Sequence, residues 1–100
     1  YVHLLDHSAM GAPPVPADLK ARLRAAFHGV FILAGGFDRV SAERALEAGQ
    51  ADLIAFARPF VANPDLVARM RTDAPLNAVD ATTFYTPGPK GYTDYPALYA

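Results

Sequence analysis

Cysteine is absent from the 100 residues. That excludes disulfides and thiolate metal sites, and it suits a reducing cytoplasm. An excess of charge is also missing: the net charge of −1 gives no electrostatic reason to bind nucleic acid, and no basic run suggests a membrane surface. No apolar run approaches the length of a membrane span, and no signal peptide is visible. Histidine lacks metal-like spacing, since His3 has no second ligand near it, so no metal site is expected.

What is present makes a core. Hydrophobic residues account for 52% and charged residues for 19%, a globular composition rather than a disordered one. One hundred residues fit one ordinary domain or a piece of a larger one. The chain begins "YVHLLDHS", without methionine and inside an apparent strand. Termini tend to be exposed and loosely held, so a segment of a longer polypeptide is expected.

Three short apolar runs recur, Tyr1–Leu5, Val30–Ala34 and Leu53–Phe56. The second is bounded by Gly29 and Gly35-Gly36, as strands are. The third shows no polar alternation, which predicts a parallel strand covered on both faces. Helical patterns lie between them. In "DLKARLRAAF", Leu19, Leu23, Ala26 and Phe27 recur at helical spacing, with Lys20, Arg22 and Arg24 on other faces. In "SAERALEAGQ", Ser41 reads as N-cap, Ala42, Ala45 and Leu46 form a stripe, and Gly49 reads as the stop. In "NPDLVARM", Asn63 reads as N-cap, Pro64 as the first helical residue and Asp65 as the complement to the dipole.

The order is therefore strand, helix, strand, helix, strand, helix, then a turn-rich tail, which means parallel βα units. Three such units alone leave unpaired strand edges. A closed eight-stranded barrel of roughly 250 residues removes them, and this chain would be its last three units plus a tail. A small open doubly wound sheet is the alternative. The proline-rich stretch 6–16 reads as a loop at the carboxyl end of the first strand, the side on which barrels place active sites.

Two strand ends offer anion chemistry. Gly35-Gly36 follows "VFILA", and small residues let backbone N–H groups approach a ligand closely. Ala57-Arg58 follows "LIAF", and the guanidinium fork suits phosphate oxygens. In the last two units of a barrel these loops occupy the usual phosphate position. Each signal has a plainer reading: a Gly-Gly pair is most often a turn, and a lone arginine a surface ion-pair partner.

The stretches "AGGFDRVSAERALEAGQADLIAFARPFVANPDLVARM", "PLN" and "FYTPGPKGYTDYP" resemble the C-terminal third of the old yellow enzyme family. These are FMN-dependent ene-reductases on a (β/α)8 TIM barrel. The resemblance implies an α/β chain supplying strands six to eight, their helices and the tail over residues 1–100, incomplete as a stand-alone chain. It implies that the Gly35-Gly36 backbone, the Ala57 N–H and Arg58 hold the FMN phosphate. Ala57 stands where the family has glycine. Phe84 would sit beside the flavin ring and Tyr85 would line the substrate pocket. NADPH or NADH would reduce FMN, and an activated alkene (an enone, nitroalkene or maleimide) would accept the hydride. No catalytic residue falls in this segment. The partner implied is a companion chain or segment carrying the first five βα units. Two other readings remain beside this one: a flavin-free barrel enzyme acting on a sugar phosphate, and a non-enzymatic assembly module using its strand edges.

Other polar residues carry structural expectations. His3 is expected to be packed or hydrogen-bonded, and Asp6 and His7 to be loop polar groups. His28 is expected to complement a helix C-terminus, and Asp38 to cap the helix after the glycine turn. Arg39, Arg44, Arg69 and Arg71 are expected on solvated faces. Asp6 and Asp52 fall in different units and suggest no acid–base pair. Tyr92 and Tyr95, with no basic surface beside them, are expected to pack rather than to stack on nucleic acid.

Overall fold

A computed structural model describes residues 1–98. The chain forms two compact units, residues 1–56 and 57–100. The first contains β1 (Val2–Leu5), α1 (Ala17–Ala26), β2 (Phe31–Ala34), α2 (Arg39–Glu47) and β3 (Leu53–Ala55). The three strands form a parallel sheet in the order β1-β2-β3. The α/β reading with parallel strands holds, and each expected strand is found within one residue of its sequence limits.

The register sorts the side chains. Val2 pairs with Phe31, and Leu4 with Leu33, which pairs with Ile54. Neighbours in register share a face, and this face makes the core. Phe31, Leu33 and Ala51 are buried there, with Val2, Leu4, Phe27, Phe37 and Ile54 packed against them. Burying Phe31 completely contributes about 1.5–3 kcal/mol relative to leaving it in water. The other face carries the rows His3–Ile32–Leu53 and Leu5–Ala34–Ala55. In it the His3 side chain is exposed and makes no hydrogen bond among the described residues, and Leu5 and Leu53 are more than half exposed. The expectation of a packed His3 and of a third strand covered on both faces is therefore corrected. The helical segments of this unit follow from its sequence, but they cover one side of the sheet.

Local chemistry sets the helix ends. Asp38, rather than Ser41, is the N-cap of α2. Its carboxylate accepts from the Ser41 N–H at 2.8 Å, and its own N–H donates to Ser41 Oγ at 3.0 Å. This reciprocal pair is a capping box. At the other end Gly49, at φ 72°, lets Gly49 N donate to Leu46 O and Gln50 N to Ala45 O, the Schellman arrangement. In α1 the expected apolar stripe is only partly used: Phe27 packs on the core, while Leu19 and Leu23 are exposed.

The second unit begins with α3 (Arg58–Ala62), continues into α4 (Leu66–Arg71) and ends in a turn-rich tail with a 3-10 turn at Ala81–Thr83. Asn63 terminates α3 instead of capping α4, whose N-cap is Asp65. The Asn63 side chain is consumed elsewhere, donating to Pro59 O and accepting from Asn77 N. Arg69 is buried rather than solvated, at 4% exposure, because backbone carbonyls and Asp65 satisfy its donors. No helix among the described residues is long and apolar enough to cross a membrane.

Candidate functional site

The carboxyl end of β2 runs directly into Gly35 and Gly36, both with positive φ (113° and 71°). The turn is forced by packing as well as by torsion. A Cβ on Gly35 would collide with Asp6 O and stand 2.8 Å from Asp6 C, contacts no side chain survives. Glycine at 35 is therefore required by the close approach of the backbone that leaves β1, whatever else binds there. Gly36 is less crowded, with Ala9 Cβ at 3.3 Å. The N–H groups of both glycines make no hydrogen bond among the described residues. Two consecutive unpaired donors at a strand end suit an anion.

Three aspartates of this unit, Asp6, Asp38 and Asp52, are engaged by neighbours. Asp6 is buried, ion-paired to Lys20 at 2.8 Å and hydrogen-bonded by the Ser8 N–H at 2.9 Å. The lysine, then that N–H, holds its carboxyl far below the ordinary range. Asp52 takes a bidentate contact from Arg24 at 2.5 and 2.9 Å and the Phe31 N–H at 2.9 Å. The arginine first, then the N–H, lowers it to about 2. The Arg24 guanidinium also lies 5.8 Å from the Phe31 ring centre. Asp38 is lowered by its capping bonds with Ser41, and in the second unit Asp80 is lowered by Thr82. Each of the four is biased toward its charged form, so none stores a proton at neutral pH. The pairs Asp6–Lys20 and Asp52–Arg24 escape the sequence because they join elements far apart in the chain.

In the second unit Ala57 is the N-cap of α3 and Arg58 its first residue. Arg58 is half-buried, and its guanidinium has neither a hydrogen-bond nor an ion-pair partner among the described residues. The N–H groups of Ala57 and Arg58 likewise have no acceptor. A fixed cation with an unused donor fork and two free amides fits a phosphate in charge and geometry. The Ala57 methyl does not prevent this: the residue is exposed and its amide is open.

Phe84 and Tyr85 meet edge to face, ring centres 6.4 Å apart and planes at 83°. Phe84 is half-buried, and Tyr85 is 93% exposed. A large aromatic presented this openly is available for contact. Gly35 and Gly36 thus belong to one unit, and Ala57, Arg58, Phe84 and Tyr85 to the other. Among the described residues no group of acidic, histidine or cysteine side chains gathers to hold a metal ion.

Comparison with known proteins points one way. Residues 3–77 match the model of the NADH:flavin oxidoreductase / NADH oxidase family. 12-Oxophytodienoate reductase 1 of Oryza sativa subsp. japonica is 54% identical over 76 residues, covering 75% of this chain and 20% of that protein. Morphinone reductase superposes with a TM-score of 0.87 at 40% identity, covering 96% of this chain and 26% of that one. A morphinone reductase mutant solved in complex with tetrahydroNAD gives a TM-score of 0.84, also at 40% identity, with 96% and 25% covered. The chain spans about a fifth to a quarter of the length of these relatives.

Proposed function

Because this chain belongs to the NADH:flavin oxidoreductase / NADH oxidase family, the old yellow enzymes, we propose that it is the FMN-phosphate and tail portion of an ene-reductase barrel. The proposal assigns β1, β2 and β3 to strands six to eight of that barrel. The companion is the part carrying the first five βα units, and the substrate is an activated alkene such as an enone, nitroalkene or maleimide. Hydride from NADPH or NADH reaches the alkene through FMN, which supplies the redox chemistry when bound.

This chain's residues hold and orient. The free amides of Gly35, Gly36 and Ala57 donate to phosphate oxygens, and Arg58 adds charge and a fork of donors. Phe84 packs beside the ring, and Tyr85 forms a wall for the alkene. By the family resemblance, the proton delivered to the alkene comes from elsewhere in the barrel, and the four lowered carboxyls here do not offer one. The uncovered sheet face supports the companion. Its rows His3–Ile32–Leu53 and Leu5–Ala34–Ala55 have the layered form of a barrel interior, and both outer strands lack a second neighbour among the described residues.

The observation that carries the reading is the unpartnered, half-buried guanidinium of Arg58. In the assembled protein, Arg58→Ala removes a charge-assisted contact of roughly 1.5–3 kcal/mol. FMN affinity measured by fluorescence quenching then falls roughly ten- to hundredfold. Unchanged affinity overturns the assignment of Arg58. An assembled protein that stays colourless when FMN is added overturns the flavin reading itself.

A further inference from the structure

Arginine is almost never fully buried unless its donors are matched. Arg69, with 4% of its surface exposed, meets that condition through four hydrogen bonds. Nε donates to Asp65 Oδ1 at 2.8 Å, and one terminal nitrogen donates to Pro75 O at 2.9 Å and Asn77 Oδ1 at 3.3 Å. The other donates to Pro96 O at 2.8 Å. Asn77 extends the network, its Nδ2 donating to Ala62 O at 2.9 Å and to Pro96 O at 2.7 Å. The Asn77 N–H donates to Asn63 Oδ1 at 2.7 Å, and Asn63 Nδ2 donates to Pro59 O at 2.8 Å. Asp65 Oδ2 accepts from Leu98 N at 2.8 Å.

Two results follow from these bonds, all within the second unit. Asn77 and Pro96 are brought together, so residues 78–95 form a loop closed at its base by side chains of residues 69 and 77. Phe84 and Tyr85 lie near the middle of that loop. Inside it, Asp80 N donates to Tyr95 Oη at 3.0 Å, and Gly91 N to Asp94 Oδ1 at 2.7 Å. The same network also holds α3, through the carbonyls of Pro59 and Ala62. Pro59 directly follows Arg58.

We propose that the Asn63–Asn77–Arg69 network is a positioning device that fixes the 78–95 loop, and with it Phe84 and Tyr85, relative to the helix that begins with Arg58. This rests on the reading that these three side chains face FMN and the alkene. Its physical content is entropic. A loop of this length fixed only by its own turns samples many positions, and a base tied by buried charge-assisted bonds removes that freedom.

The test uses the assembled full-length protein. Lys90 is the one lysine or arginine in the loop, so trypsin cleavage after it reports loop opening without any flavin. Asn77→Ala deletes the bonds to Ala62 O and Pro96 O. Asn77→Asp keeps an acceptor for Arg69 and removes both donors, which gives a second variant should the first fold poorly. Either change raises the rate of cleavage at Lys90 about tenfold, well below the melting temperature. It also raises KM for the alkene about tenfold, more than it lowers kcat, as misplaced binding groups do. A network that only adds stability lowers the melting temperature and leaves both quantities unchanged below it. That result overturns the proposal, as does faster cleavage with an unaltered KM. Failure of the flavin reading shows separately, as a colourless protein whose Lys90 cleavage still responds to the substitution.

Discussion

A glycine is informative only when its cause is known. At Gly35 the cause is steric: a Cβ meets the Asp6 carbonyl, and φ is 113°. Gly49 has a positive φ too, 72°, but a Cβ there meets nothing within 4 Å. Gly49→Ala thus tests torsion alone, costing roughly 1–2 kcal/mol. Gly35→Ala adds a backbone clash and costs on the order of 3 kcal/mol or more. Thermal melting of the assembled protein distinguishes them; equal losses would show that the approach to Asp6 is not tight. The Gly35-Gly36 turn was legible in the sequence, but its reason was not. The sequence suggests room for a ligand, whereas the missing side chain at 35 first makes room for the chain itself. Arg69 shows the opposite failure. Its i,i+4 spacing from Asp65 was visible and hints at a pair. Its burial was not, because it depends on Asn77 and Pro96, residues brought near only by the fold.

At the scale of elements, strand and helix order was readable because hydrophobic period and capping are local. The boundaries that moved are those decided by distant partners. Asn63 has the chemistry of an N-cap, yet its amide is engaged by Pro59 and Asn77, so α4 starts at Leu66. Asp52 shows how elements are joined. It binds Arg24 of α1 and the first N–H of β2, and its own N–H donates to Phe31 O. With its carboxyl lowered from 3.8 to about 2, the stabilisation is complete above pH 3.8 and disappears as pH falls through 2. Asp52→Asn therefore lowers the melting temperature at pH 5, and the gap from the parent protein narrows as pH approaches 2. A gap independent of pH would mean that the carboxylate charge contributes nothing.

At the scale of the whole molecule, family membership was legible from motif order, while the uncovered face of the sheet was not. It emerged from register, which puts Leu5 and Leu53 on the face opposite Phe31 and Leu33. Exposed apolar side chains of that size mark surfaces that seek cover. The 100-residue chain expressed alone is expected to self-associate and to bind a hydrophobic dye. Co-expression with the proposed companion should abolish both, as size-exclusion chromatography and dye fluorescence would show. A dye-silent monomer would contradict the proposed companion. The two rims of the β1-β2-β3 sheet carry a consequence for engineering. What they present to a neighbour is main-chain amides and carbonyls, which are the same in every sequence. Pairing at these rims asks a neighbour for matching spacing and stagger rather than for a particular sequence, so a segment from a divergent member of the family is expected to dock there provided that it also covers the apolar face carrying Leu5 and Leu53.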